Sequence, residues 1–387
     1  MIGAVEKLQN GVVVYQTTDE EADTCNIYCE FPWCPPDSHC FVYMRYAPEY
    51  TPNIYEFVAC DFGTWEKRLV GRGRGGQTIA NGGKFYYKRF NDEGRQEFVR
   101  CDLEAGTETM IDLPEGVPTS ASFAISKGER YLAFSQALSY DPQRFGVGIA
   151  DLQTGTCEII HEDPWICNPH LQFEPSEGQQ LLVQHNRGCV FTPEGKRELL
   201  VGKEGCTLFL LDVPGGEVTR LKVGPPYTAS LSGHETWLGE TGEIIATLNY
   251  MEDYDYGKGR IVGIRPGEEH REICVPWELN HIGIEPSGRI FAGDAYRPDE
   301  IIIGSPRTDK AVVVGPSRAS YNRARRRTGR PGLVFDSHPH AYISPDRKWV
   351  VFNSDRTGIQ QVYAAAIPPE IIDELERDGK GVLSRPR

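Results

Sequence analysis

The chain has 387 residues, 39% of them hydrophobic and 25% charged, with 41 glycines and a formal net charge of −14. This is the composition of a turn-rich globular protein, and no apolar run reaches the length of a membrane span. The acidic balance disfavours nucleic acid and anionic membrane as partners, so an acidic ligand would need a local basic patch.

The first residues, "MIGAVEKLQNGVVVYQTTDEE", lack a basic region followed by an apolar one, which predicts a cytoplasmic protein. The eleven cysteines are odd in number and show no repeated CxxC spacing. That pattern argues against a disulfide framework and against a structural zinc site, and predicts reduced thiols.

In chain order, one unit recurs: a turn of small residues, an apolar strand, a gap, and a second strand. Its first half reads "CPPDSHCFVYMRY", "IANGGKFYYKRF", "ISKGERYLAFSQA", "EPSEGQQLLVQHN", "LGETGEIIATLNY", "EPSGRIFAGDA" and "SPDRKWVVFNSD". Its second half runs from "IYEFVACDFGTWEKRLV" to "QQVYAAAIPPEI", also in seven copies. Short strands with turn signals at a period of roughly 45 residues predict an all-β fold, a β-propeller in which each repeat is a four-stranded blade. The expected fold is a seven-bladed propeller forming a single domain over residues 1–387, with a helical tail at 368–387. The last copy runs out early, so "NGVVVYQTT" near the N-terminus is expected to supply its outer strand and close the ring.

Against this repeat the histidines fall into phase. His170, His281 and His340 each stand five residues before a proline, in "HLQFEP", "HIGIEP" and "HAYISP". His234 stands five before Gly239 in "HETWLG". The fourth to seventh copies thus carry histidine at one position, while the first three carry Glu30, Gly76 and Ser122. Equivalent positions of a propeller share one height, so these imidazoles are expected to ring the central channel at one rim. His338, two residues before His340, adds a fifth, because residues i and i+2 of an extended chain project the same way. Five imidazoles exceed the needs of one metal, and three of them with open positions describe a catalytic site.

Ahead of His338 runs "SRASYNRARRRTGRPG", whose Arg323, Arg325 and Arg327 suit the carboxylates of an acidic substrate. His185 and Arg187, in "LLVQHNRGC", end a strand of the fourth copy and are further candidates for the site.

"GHETWLGETGEIIATLNY", "NHIGIEPSGRIFAGD" and "SHPHAYISPDRKWVVFNSD" resemble segments of the oligogalacturonate lyase family, and "VVYQTTDEEADTCNIYCEFPWCPPDSHCFVYMRY" resembles its opening blade. The resemblance implies a seven-bladed propeller and β-elimination on short acidic uronate oligosaccharides. It also implies a manganese ion at the channel mouth; for this chain a divalent metal is expected, manganese first, with zinc and calcium as alternatives. Carried over by residue, it makes His281, His338 and His340 ligands and His234 the base; His170, from its phase, and His185 and Arg187, from their strand end, are further catalytic candidates. The family's fourth ligand is a glutamine where this chain has Phe335, which leaves that position to Asp336 or water. The family's His-Glu-Gly segment reads "HNRG" here, so substrate contacts near His185 are expected to differ.

Overall fold

The computed structural model describes residues 2–30, 33–46, 54–78, 82–91, 93, 96–118, 122–249, 259–296, 298–321 and 337–379. Among them, almost all regular structure is antiparallel strand, with one α-helix, Pro369–Glu376. Runs such as "EIIIGS" and "WVVFNS" form strands because β-branched and aromatic side chains pack well on a pleated surface. Their middle residues are buried on both faces, so these strands lie between two layers and do not float on one.

The strands meander in sequence order. The pattern is plain in Phe123–Ile125, Tyr131–Tyr140, Gln143–Asp151 and Thr156–Asp163, each paired antiparallel with the next. One strand serves two units. Lys67–Thr78 pairs backward with Tyr55–Asp61 as far as Gly73, then forward with Lys84–Phe90 from Arg74, so it is the outer edge of one unit and the inner edge of the next. Divided there, the sheets of the described residues give, besides one two-stranded hairpin, six units of four strands and one of five, which we read as blades.

The core lies between units. One apolar cluster joins Phe98 of the second unit to Phe123 and Phe134 of the third, and another joins Leu182 of the fourth to Trp237 and Ala246 of the fifth. The cluster around Phe41 and Phe57 takes in Phe85 of the second unit together with Tyr342 and Val351 of the seventh, so the contacts return to their start.

Closure also follows from pairing. Val13–Gln16 lies antiparallel to Gln361–Ala366, as the sequence predicts. Gly3–Lys7 adds a further strand outside it, which the repeat pattern did not announce because it belongs to no copy. The helix Pro369–Glu376 buries Ile372 and Leu375 against the sixth and seventh units.

The recurrent turn owes its residues to hydrogen bonding. In "EPSG" the Glu285 carboxylate accepts from the N–H groups of Ser287 and Arg289 at 2.6 and 2.8 Å, and Glu174 does the same for Ser176 and Glu177 at 2.7 and 2.9 Å. Ser126 and Ser344 play this part with a hydroxyl, accepting from Tyr131 and Trp349 at 3.0 Å. A short side-chain acceptor that satisfies the turn's own donors is the reason Glu or Ser recurs there.

Candidate metal centre

The segment that leads into the innermost strand fixes two of the histidines. In "NPHLQF" and "HPHAYI" the proline carbonyl accepts from the adjacent strand, Pro169 from Gln184 N–H at 2.7 Å and Pro339 from Asn353 N–H at 2.8 Å. The following histidine then takes a left-handed backbone, φ 43° at His170 and 46° at His340. The sequence predicts an extended His-x-His segment, and the structure corrects this to a segment bent by left-handed backbone at His340. The two imidazoles still converge, with ring centres 5.7 Å apart. Left-handed backbone on a non-glycine residue is strained and clusters at functional sites.

His281 reaches the same place by another route. It opens the strand His281–Ile284 directly opposite Asp294, and its Nδ1 lies 3.1 Å from both Asp294 carboxylate oxygens. His234 sits where the pairing of Leu231–Trp237 shifts register, next to Gly233 at φ 89°. A bulge of this kind re-aims a side chain.

His281, His338 and His340 bring one donor atom each to within 4.8 Å of one another. The Nδ1 of His340 is buried without a hydrogen-bond partner, while Asp294 engages the Nδ1 of His281 and leaves its Nε2 for a ligand role. Burial, then the neighbouring imidazoles, hold His281 and His340 well below the ordinary histidine pKa, so both are neutral and able to ligate. Burial also pushes the Asp294 carboxyl up to about 7. Neutral imidazoles, an orphaned nitrogen and a carboxylate behind one ring fit a divalent transition metal.

Beside the triad stands His234, its ring centre 4.2 Å from that of His281 and its Nδ1 3.1 Å from Ser232 Oγ. Burial first, and then His281, His170 and His338, depress its pKa well below the usual value. His170 is the opposite case. Burial opposes its charge, but Glu235 and Glu30, 3.4 and 3.2 Å from Nδ1, outweigh this and hold it up to about 10. One rim therefore carries a neutral imidazole and an imidazolium.

Tyr28 occupies the middle. Its ring centre lies 5.0 Å from that of His340, 6.3 Å from those of His170 and His281, and 6.5 Å from that of His234. The segment that bears it follows the strand Thr24–Asn26 and brings Tyr28 among the imidazoles of the fourth to seventh units. A Cβ at Gly283 would stand 2.2 Å from the Cys29 carbonyl, so only glycine lets the sixth unit approach that segment. Tyr28, Glu30 and Glu235 escape the histidine pattern. The one available signal is that Glu30 holds the histidine's repeat position in the first unit.

The other candidates lie apart. His185 is buried with its Nε2 3.0 Å from Asp163 Oδ1, between the rings of Trp165 and Phe209, while its neighbours Gln184 and Asn186 line the cleft. Arg187 donates to the carbonyls of Gly205, Glu204 and Pro225 at 2.9, 2.5 and 2.7 Å, which clamps the cleft wall. Asp336, Arg323, Arg325 and Arg327 lie outside the described residues. The cleft itself has a volume of about 980 Å³ and runs from Tyr28, His170 and His234 outward over the fourth and fifth units. All eleven cysteines are free thiols. Among the described residues no helix is long and apolar enough to cross a membrane.

No protein-family model and no curated protein matches the sequence. Solved structures do match the fold. An oligogalacturonate lyase from Vibrio parahaemolyticus aligns with a TM-score of 0.67 at 17% identity, over 96% of this chain and 97% of that one. An oligogalacturonate lyase in complex with manganese aligns at 0.69 and 16% identity, with the same coverage. The fold is that of the oligogalacturonate lyases. The β-propeller domain of the trilobed protease from Pyrococcus furiosus is more distant, at 0.50 and 12% identity over 90% of this chain and 94% of that one.

Proposed function

We propose that the chain is a metal-dependent lyase that cleaves short uronate oligosaccharides by β-elimination. The observation that carries the reading is the neutral His234 packed against a convergent triad of His281, His338 and His340. The lyase structures that share the fold support the class of reaction, and the manganese in one of them supports manganese as the metal.

A uronate's C5 proton is weakly acidic because the adjacent carboxylate already carries charge. A divalent cation held by the three histidines would supply Lewis-acid charge at that carboxylate. His234 then takes the C5 proton on a ring nitrogen. The C–H electron pair becomes the C4–C5 double bond and the C4–O4 bond breaks. The departing oxygen takes up a proton, for which the imidazolium of His170 is the charged donor on the cleft wall. Arg323, Arg325 and Arg327, just ahead of His338 in sequence, are assigned to the substrate carboxylate.

The test is a panel of uronate oligomers offered to metal-loaded and chelator-treated protein, with ultraviolet absorbance reporting the double bond. Metal-dependent absorbance is the expected result. Cleavage that leaves no unsaturated product would mean hydrolysis and would overturn the reading.

A further inference from the structure

The strand Gln180–Asn186 alternates its side chains across the fourth unit. His185 faces Asp163, while Gln184 and Asn186 border the cleft with His170 and His234. Gln184 is 2% exposed and Asn186 1%. Even so, both amide atoms of Asn186 and the Oε1 of Gln184 have no hydrogen-bond partner. Buried polar atoms left open in a native fold need an explanation, and at the edge of a cleft the natural one is a ligand that completes them.

The open atoms define that ligand. An amide presents donors on one side and an acceptor on the other. A hydroxyl can donate and accept, so it can meet both; a carboxylate only accepts, and leaves the amide oxygens facing like charge. Nearby charge points the same way, because two carboxylates, Glu30 and Glu235, face the one imidazole of His170. Among the described residues of the lining, Lys203 is the only lysine or arginine, and it is exposed. Leu199 and Leu200, 45% and 36% exposed, add an apolar lip suited to the C–H face of a sugar.

We propose that this part of the cleft is a subsite for a neutral, hydroxylated sugar read by the amides of Gln184 and Asn186, so that the preferred substrate joins a uronate to a neutral sugar and not to a second uronate. The proposal rests on the lyase reading for the uronate end, and concerns which sugar departs.

The experiment compares digalacturonate with its carboxyl-reduced counterpart, in which the sugar attached at O4 of the galacturonate is galactose. Binding is measured by calorimetry on manganese-loaded full-length protein, and turnover by ultraviolet absorbance. The wild type is expected to bind the galactosyl compound at least about tenfold more tightly, since the two ligands differ only in a carboxylate set against unpaired acceptors. In Asn186→Ala and Gln184→Ala variants that preference collapses, through weaker binding of the galactosyl compound alone. Equal or tighter binding of digalacturonate by the wild type overturns the subsite, whatever the variants do, and so does failure to bind either disaccharide. The preferred binding without unsaturated product keeps the subsite and overturns the lyase reading; turnover of both without preference does the reverse.

Discussion

Asp294 gives a test of the metal centre that does not depend on any substrate. Its carboxylate is fully buried, with both oxygens 3.1 Å from the Nδ1 of His281. It therefore fixes the ring with Nε2 forward and makes that nitrogen a better donor. Asp294→Asn keeps the shape and one acceptor but removes the charge. Loss of such a partner weakens metal binding by about 10- to 100-fold, or about 1.4 to 2.7 kcal/mol. For 387 residues at roughly 2.1 cal/mol/K each, the unfolding entropy is about 0.8 kcal/mol/K. At a saturating, matched metal concentration the metal-induced rise in Tm should thus be about 2 to 3 °C smaller in the variant. The metal-free comparison has the opposite sign. The folded-state carboxyl lies at about 7 against an ordinary 3.8, so ionising it costs stability increasingly as pH rises from 3.8 to 7. At pH 8 the chelator-treated variant should therefore melt no lower than wild type. Manganese titration by calorimetry, with matched melting curves, checks both signs. An unchanged manganese Kd would refute the assignment of His281 as a ligand oriented by Asp294.

Three further outcomes are expected. His234→Ala retains its metal content and forms unsaturated product about 10² to 10⁴ times more slowly, and loss of metal in this variant would make His234 a ligand instead of the base. Because the His234 pKa lies well below 6.5, the base stays unprotonated as pH falls through 6.5, so the acid limb of kcat/KM lies below that value; a limb at or above 6.5 would contradict the role. We also propose that the whole chain is one domain. Removing residues 2–18 takes away buried Val12 and Val14, worth about 1.5 to 3 kcal/mol each, and bares the edge of Gln361–Ala366, so that variant should lose cooperative melting and aggregate, whereas an undiminished melting transition would show that closure is dispensable.

The repeat was legible because each copy announces itself chemically: a Glu or Ser satisfies the turn, and a β-branched or aromatic strand follows. The rim histidines were legible because propeller symmetry converts equal phase into equal height. What symmetry cannot supply is local backbone. Nothing in "HPH" distinguishes an extended pair from the left-handed backbone that His340 adopts, since both satisfy the spacing. The place of His185 was open to the same period-two logic, because Gln184 and Asn186 must face opposite to it, but the strand does not say which face meets the cleft. Tyr28 reads as one more core aromatic until its ring is seen among four imidazoles. Glu235 follows His234 directly, so its meeting with His170 depends on which blade stands next to which.

The shared left-handed backbone at His170 and His340 has a consequence for evolution. Each imidazole is held on a backbone that a side-chain-bearing residue adopts at a cost on the order of 1 kcal/mol, and that glycine adopts freely. The local backbone would be relieved by losing these two side chains, so under the lyase reading local strain and chemistry pull on them in opposite directions. At His340 a drift to glycine would relieve the backbone alone, whereas at His170 it would also strip Glu30 and the buried Glu235 of their counter-charge. Under the lyase reading, histidine at these two positions serves what the rim does, against the local preference of the backbone that carries it.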